Sequence, residues 1–224
     1  MDLLLLGAFL LVAVAIAFGS WYFSADRRAL RAMKAVPLLP VGDVREGQKT
    51  RIVGRAELLE TLTAPLTGRA CAAWRVAVLE QRRSGKNSRW VTVLDEQESV
   101  DFLVLDGTSK ALVKANDASV VLDKDWKDSS GLFAAATPEL ESFLQERGLS
   151  SKGFVFNKGM KYHEGVLEAG EYVAVVGVGR WERDPERGPS AGAGYREASA
   201  PRRLVMTSPD DDMLILSDEP AMLT

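Results

Sequence analysis

The feature that most constrains this chain is an apolar run near its N-terminus. From Leu3 to Phe23 the sequence LLLLGAFLLVAVAIAFGSWYF contains no charged residue. As a helix rising about 1.5 Å per residue, the run would be about 30 Å long, which matches the hydrocarbon core of a bilayer. It therefore predicts a transmembrane helix, and residues 1–24 are interpreted as a membrane anchor.

The charges on the two sides of this run differ. Asp2 is the only charge before it, whereas four cations follow between residues 27 and 34. This excess of cations on one side predicts a single-pass protein with its N-terminus outside and its C-terminal domain in the cytoplasm. The cations and the aromatic rings that end the run are predicted to contact the membrane surface and its anionic lipid headgroups. These membrane-surface residues are Trp21, Tyr22, Arg27, Arg28, Arg31 and Lys34.

A cleaved secretory signal is the alternative interpretation of the same run. Ala15-Ile16-Ala17 provides the small residues that a cleavage site requires. A secretory signal also carries positive charge before its apolar stretch, and here only Asp2 precedes it. The order of the charges thus favours a retained anchor.

The rest of the chain divides into two parts. Residues 25–40 are predicted to form a basic juxtamembrane helix and linker, since Pro37 disfavours helix at the residue before it. Residues 41–224 are predicted to form a β-rich domain. Their apolar residues alternate with polar ones in stretches such as KTRIVGRAEL, AAWRVAVLEQ and RWVTVLDE, which is the pattern of half-buried strands.

Several turns and one helix can be placed within the β-rich domain. Ser84-Gly85 predicts a hairpin, and Asp106-Gly107 predicts a tight one because both residues tolerate positive φ. The stretch TPELESFLQERG predicts a helix over about 137–147, capped by Thr137. Residues 182–201 are poor in large apolar side chains and predict a mobile loop.

The predicted fold class is therefore mainly β, or α+β. It consists of an N-terminal transmembrane helix followed by a compact antiparallel β-rich domain with one inserted helix.

Four stretches of the chain resemble a known family. They are APLTGRACAAWRV (64–76), VDFLVLDGTSKALV (100–113), EGVLEAGEYVAVVGVG (164–179) and MLILSDEP (213–220). In this order they resemble the GIDE-type domain, also called the beside-a-membrane (BAM) domain, of the mitochondrial membrane-anchored E3 ubiquitin ligases. The resemblance implies a β-rich domain held beside a membrane, and this chain looks like a bacterial-type member of the family.

The chain departs from the ligases in one respect. Their RING module holds two zinc ions and needs eight Cys or His ligands, because each structural zinc ion takes four. This sequence has one Cys and one His. Ubiquitin-ligase activity therefore has no residues here to carry it.

Cys71 is the first candidate for chemistry. Arg69 lies two residues before it and could favour a thiolate. On a continuous strand, alternation places Cys71 on the same face as Ala73 and Arg75 and opposite Trp74. That face has small residues rather than a pocket, and a buried free cysteine is the commoner case. A structural role is predicted for Cys71, with a reactive thiol as the alternative.

The remaining candidates are weaker. His163 is the only histidine and is interpreted as a strand or surface residue beside Glu164, although a general base would have to use it. Residues 210–212 are three consecutive aspartates, which fit a solvated turn better than a metal site. The chain has no phosphate-binding, dinucleotide-binding or nucleophile-elbow motif. No catalytic residue, cofactor or metal is predicted.

These observations predict a binding protein rather than an enzyme. The formal net charge of −3 and the absence of a long basic run give no footprint for nucleic acid. The predicted function is a membrane-anchored binding or scaffolding module with an unidentified protein partner. The alternative is a membrane-tethered enzyme, of the ubiquitin-ligase family or hydrolase-like, that uses Cys71 or His163.

Overall fold

The computed structural model describes residues 26–84, 87–107, 109–130, 136–152, 158–184 and 202–224. Its strands are β1 (Lys49–Leu58), β2 (Leu62–Thr63), β3 (Ala70–Cys71), β4 (Ala73–Ser84), β5 (Asn87–Ser99), β6 (Phe102–Asp106), β7 (Ser109–Val113), β8 (Ser119–Val121), β9 (Trp126–Ser130), β10 (Met160–Leu167), β11 (Tyr172–Arg183), β12 (Arg202–Thr207) and β13 (Ile215–Ser217). Helix α1 has its described part at 26–35, and α2 covers Pro138–Glu146. Short 3₁₀ helices lie at Val41–Asp43 and Pro220–Met222.

The larger sheet closes into a five-stranded barrel. Its strands follow the order β1-β6-β7-β12-β11, and β11 pairs again with β1 to complete the ring. Side chains alternate along each strand, so that Val173 and Val175 of β11 and Phe102 and Val104 of β6 point into one buried core. Strands β13 and β8 extend the sheet from β11 beyond the closed ring.

Two strand pairings in this sheet are parallel. Strand β7 runs parallel to β12, and β8 runs parallel to β13. The predicted all-antiparallel arrangement is wrong at these two places. A parallel pair needs a long crossover connection rather than a hairpin, and local alternation does not reveal which distant strand a segment will join.

A second, four-stranded sheet packs beside the barrel. Its order is β5-β4-β10-β9, and it begins with the hairpin of β4 and β5 predicted at Ser84-Gly85. Helix α2 covers one face of this sheet and buries Phe143 and Leu144 against Trp74 and Tyr162. The helix begins as predicted: the backbone N–H of Leu140 donates to the Thr137 hydroxyl at 3.3 Å.

Side chains of the second sheet close the open edge of β8. The Gln97 amide accepts from the Val120 N–H at 3.1 Å and donates to the Ala118 carbonyl at 3.0 Å. Arg75 donates to the Val120 carbonyl at 2.9 Å. These contacts take the place of a neighbouring strand, so the short edge strand is not left with unpaired backbone groups.

Helix α1 packs on the outside of the barrel. Met33 is fully buried there among Val176 of β11, Ile215 of β13 and Met222 near the C-terminus. The described part of the predicted juxtamembrane helix is therefore bound to the folded domain through its apolar side. Of the predicted loop over 182–201, residues 182 and 183 belong to β11, and residues 185–201 lie outside the described residues.

The predicted transmembrane element of the fold is corrected. Within the described ranges, no helix has the length and apolar character needed to cross a bilayer. Residues 3–23, on which that prediction rested, lie outside the described residues. The anionic-lipid partner and the single-pass location with a cytoplasmic domain were inferred from the same span, and they are corrected with it.

Gly54 is predicted to be essential for closing the barrel. It pairs with Val173 of β11 and lies next to Arg55, which pairs with both β11 and β6. A Cβ atom at this position would lie 2.3 Å from the Leu105 carbonyl oxygen, which is backbone and cannot move aside. Gly54→Ala should lower the free energy of unfolding by about 3 kcal/mol or more, as measured by chemical denaturation.

Gly42→Ala is the matched control for this substitution. An added Cβ there meets only the Ser109 hydroxyl at 3.7 Å, an ordinary contact. Stability should change by less than about 1 kcal/mol. Equal losses in the two variants would contradict the role of Gly54 in barrel closure.

Candidate functional site

Cys71 is a buried core residue. It is fully inaccessible to solvent, and its thiol contacts the Leu62 carbonyl oxygen at 3.7 Å. Burial, with a further contribution from the Glu164 carboxylate, raises the pKa of the Cys71 thiol to about 11. At neutral pH the group is therefore an un-ionised thiol, which is a poor nucleophile.

The predicted facing of Cys71 is wrong. The chain leaves β3 at Cys71 and enters β4 at Ala73, so the alternation does not continue through Ala72. Cys71 consequently shares a core with Trp74 instead of lying opposite to it.

Glu164 explains the conformation of the segment before Cys71. This carboxylate is fully buried and accepts from the backbone N–H groups of Leu66 at 2.8 Å and Thr67 at 3.0 Å, and from the Thr67 hydroxyl. Gly68 completes the turn with φ of +70°. The stretch 64–76, one of those that carry the family resemblance, is thus folded around a buried anion and has a structural role.

His163 lies on the opposite face of the second sheet from Cys71. It alternates along β10 with Tyr162, and Tyr162 shares the buried core of Cys71. His163 instead lies opposite Lys127 of the neighbouring strand. The structure therefore does not bring the thiol and the imidazole together as a nucleophile and its base.

The three aspartates at 210–212 do not form a metal site. Asp212 binds Lys49 at 2.8 Å, and this ion pair lowers the pKa of the carboxyl. Throughout the described part of the chain, no group of three His, Cys, Asp or Glu side chains is placed to hold a metal ion.

The predicted membrane-surface residues are only partly described. Trp21 and Tyr22 lie outside the described residues. Arg27, Arg31 and Lys34 follow one face of α1 and line a groove of about 410 Å³ against the C-terminal segment. Arg28 is exposed on the same helix.

A cleft of about 500 Å³ lies where the extended end of the large sheet meets the barrel. Its lining residues are Arg55, Asp123, Asp125, Gly170, Glu171, Tyr172, Asp218, Pro220 and Leu223. Four of these nine residues carry carboxylates, so the cleft has a strongly acidic wall.

Parallel pairing of β8 and β13 brings the carboxylates together. Asp123 and Asp125 follow the end of β8, and Asp218 directly follows the end of β13. Because the C-terminal ends of parallel strands meet at the same edge of a sheet, these groups converge although about 95 residues separate them. The Asp123 backbone N–H donates to Asp218 Oδ1 at 2.7 Å.

Tyr172 and Arg55 form the other side of the cleft. They are directly opposite in the pairing of β1 with β11. The Arg55 guanidinium lies 5.1 Å from the centre of the Tyr172 ring, and the ring side chain is half exposed. A cation is thus already held against the aromatic face at this side.

Asp218 is the most perturbed carboxyl of the cleft. Burial raises its pKa to about 6, and the charges of Asp125 and Asp123 add to the effect. Within the described ranges, no lysine or arginine nitrogen lies within 4.0 Å of Asp123, Glu171 or Asp218. A perturbed group in a cleft is a candidate functional site. Arg55 lines the same cleft but lies against Tyr172 and forms no ion pair with these three carboxylates.

Asp125 is the exception among the four carboxylates. It is bound by Arg69 at 3.4 Å and accepts from the Val166 backbone N–H at 3.1 Å. Arg69 also binds Glu168 at 2.9 Å, so its charge is shared. The pair fixes one wall of the cleft and leaves the other acids unneutralised.

Sequence reasoning missed this site. The acidic turn at 210–212 drew attention because its carboxylates are consecutive, whereas the acids of the cleft come from three separate segments. The only signal was the position of acidic residues just after the short strands SVV and ILS. That signal has meaning only once the two strands are known to be parallel.

Comparison with known proteins adds no identification: no protein-family model, curated protein or solved structure matches this chain. The resemblance to the GIDE-type domain stays a prediction.

Cys71 is predicted to be unreactive in the folded protein. With a pKa of about 11, less than about one thiol in a thousand is ionised at pH 7.5. Reaction with Ellman's reagent should be undetectable over several minutes in buffer, and complete at one thiol per chain after unfolding in guanidinium chloride. Rapid labelling of the folded chain would contradict the buried assignment.

Asp218→Asn should stabilise the protein in a pH-dependent way. The raised pKa means that Asp218 supports folding fully below its ordinary pKa of 3.8, and that this contribution is lost as pH rises through about 6. After allowance for solvent screening, the variant should be more stable by about 2 kcal/mol at pH 8. The difference should vanish below pH 4, which urea denaturation at both pH values measures.

Asp212→Asn provides a control with the opposite sign. Lys49 lowers the pKa of Asp212, so its contribution is present above the ordinary pKa and is lost as pH falls. This variant should lose less than about 1 kcal/mol at pH 8, as expected for an exposed ion pair. A gain of the same size at pH 4 and pH 8 in Asp218→Asn would show that burial of its charge is not the cause.

Proposed function

We propose that this chain is a non-enzymatic binding module whose acidic cleft receives a lysine or arginine side chain of a partner protein. The observation that carries the proposal is the set of carboxylates without a cation, Asp123, Glu171 and Asp218, in a cleft of about 500 Å³. Charge-assisted hydrogen bonds to carboxylates are among the stronger polar contacts in proteins.

The energetics of Asp218 support the same partner chemistry. Its raised pKa reflects a carboxylate that is partly removed from water and lies near the other anions Asp125 and Asp123. An ammonium or guanidinium group placed in the cleft would reverse this effect, because a nearby opposite charge favours the ionised carboxyl. Binding of a cation therefore relieves an unfavourable interaction that the free protein carries.

The two sides of the cleft differ in what they offer a partner. The ring of Tyr172 is engaged by Arg55 and is half exposed, so it provides flat apolar surface around the acidic centre. Aromatic residues at the edge of a charged pocket exclude water from it and contribute area at small entropic cost. A basic side chain flanked by apolar residues fits this arrangement.

The described residues give little support to an enzyme that uses Cys71 or His163. Cys71 is fully buried, with its pKa raised to about 11. His163 lies on the other face of the second sheet, beside lysines instead of a nucleophile. Binding rather than catalysis is therefore the function that the geometry supports best, and it agrees with the GIDE-type resemblance of a chain without RING ligands.

A basic peptide tests this proposal directly. The probe is a fluorescein-labelled octapeptide of alternating arginine and glycine, followed by fluorescence polarisation against the full chain. Binding should saturate, and Asp218→Asn should weaken it about tenfold, the usual effect of losing one charged hydrogen bond. Affinity should also fall as the pH drops below about 6, where Asp218 gains a proton.

Asp210→Asn is the matched control for the binding test. It removes the same formal charge from an exposed turn outside the cleft. Its affinity for the peptide should stay within about twofold of the unmodified chain, since exposed charges at a distance are screened by salt. Equal losses in Asp210→Asn and Asp218→Asn would show that the peptide follows overall charge, and would overturn the proposed site.

A further inference from the structure

A second charged cluster lies on and just before strands β9 and β10 of the four-stranded sheet, and the segment that contains Lys124 borders the acidic cleft. The pairing of β9 with β10 places Lys127 directly opposite His163. Lys161 lies two residues before His163 and therefore on the same face of β10. Lys124, just before β9, also acts on His163 through its charge. These four residues are called the basic face below.

The lysines of the basic face have no carboxylate partners. Among the residues that the structure describes, none of the three ammonium groups lies within 4.0 Å of an aspartate or glutamate oxygen. The acid that shares this face on β5, Asp95, is held by Arg75 of β4 through two contacts at 3.0 and 3.1 Å. The positive charge is therefore not neutralised within the sheet.

The pKa of His163 is affected by this excess of positive charge. Its Nδ1 is buried and has no hydrogen-bond partner. Burial, followed by the charges of Lys124, Lys127 and Lys161, lowers the pKa of the imidazole. An anion on this face would be attracted by all three lysines, and would favour the protonated imidazole that the free protein disfavours.

Trp90 gives the basic face an apolar border. It comes from the β4–β5 hairpin and is 38 % exposed. The Lys161 ammonium lies 4.3 Å from the centre of the Trp90 ring, which holds that lysine in place through a cation–π contact. A ligand at Lys161 would therefore also touch an aromatic ring.

We propose that the basic face binds a single phosphate group carried by a phosphorylated segment of a partner protein. Several ammonium groups near His163 without carboxylate partners suit a compact dianion better than a single carboxylate. Trp90 offers a surface for an apolar residue next to the phosphorylated one.

The small size of the basic face favours a protein ligand over a nucleic acid. The basic face has three lysines and one histidine, whereas a nucleic-acid site needs a longer basic track. Lys124 lies between Asp123 and Asp125, which belong to the acidic cleft. A polyanion that continued past the basic face in that direction would meet these carboxylates, but one phosphate group does not.

The single histidine makes the test direct. The full chain, labelled with carbon-13, gives one imidazole Cε1–H signal, and its position against pH yields the pKa of His163. The probes are a heptapeptide with one central phosphoserine among alanine and glycine, and the same peptide without phosphate. The phosphopeptide should raise the pKa of His163 by about one unit, and the plain peptide should leave it unchanged.

Matched variants test whether the phosphopeptide binds at the basic face. Lys127→Gln and Lys161→Gln should each weaken the phosphopeptide about tenfold. Lys49→Gln, which removes an equal charge from an ion pair on the barrel, should not. Inorganic phosphate should reproduce the shift of the His163 signal at higher concentration, because it lacks the peptide contacts.

Three results would overturn the proposal. One is a shift of equal size with the plain peptide. Another is tighter binding of a single-stranded oligonucleotide than of the phosphopeptide, which would assign the face to nucleic acid. The third is a concentration-dependent shift without any peptide, which would assign the face to a second copy of the chain. The basic-peptide experiment on the acidic cleft is unaffected by all three, so the two proposals can fail separately.

Discussion

The double pairing of β1 is the constraint on which the rest of the structure depends. β1 pairs with β11 from Lys49 to Arg55 and with β6 from Arg55 to Leu58, and the ring of five strands closes only because β1 has both neighbours. Gly54 permits the close approach of β6 because a side chain there would strike the Leu105 backbone. The same pairing sets Arg55 opposite Tyr172. Closure of the barrel thus places one side of the acidic cleft while it forms the core.

The carboxylates of Glu164 and Asp218 are both removed from water, but they differ in how well their charge is balanced by partners. Glu164 is fully buried, but it accepts three hydrogen bonds and holds a turn in place. Asp218 has one strong backbone donor, two acidic neighbours and a pKa raised to about 6. The first charge is satisfied within the chain and stabilises it. The Asp218 charge has no cation partner, and burial of a charge without a partner is unfavourable. This difference distinguishes a structural carboxylate from one suited to binding.

The charges that lack partners are separated by sign. The acidic cleft lies at the ends of β8 and β13, and the basic face lies on β9 and β10, so the segment from Asp123 to Lys127 borders both. The formal net charge of −3 conceals this separation. A module with one site for a cation and another for an anion can distinguish partners by the order and spacing of their charged residues, which is a source of specificity rather than of affinity alone.

The sequence by itself determined the strand-rich composition, the hairpins at Ser84-Gly85 and Asp106-Gly107 and helix α2, because alternation, turn residues and capping act over a few neighbouring residues. It was wrong about two strand pairs, which are parallel rather than antiparallel, about the facing of Cys71 and about a membrane span. Each of these predictions was extended from a local pattern. Only the tertiary structure decided that β8 and β13 lie parallel, and hence that Asp123 and Asp218 meet. That pairing joins residues about 95 positions apart, and its stability comes from the packing of the whole sheet, which no short window of sequence contains.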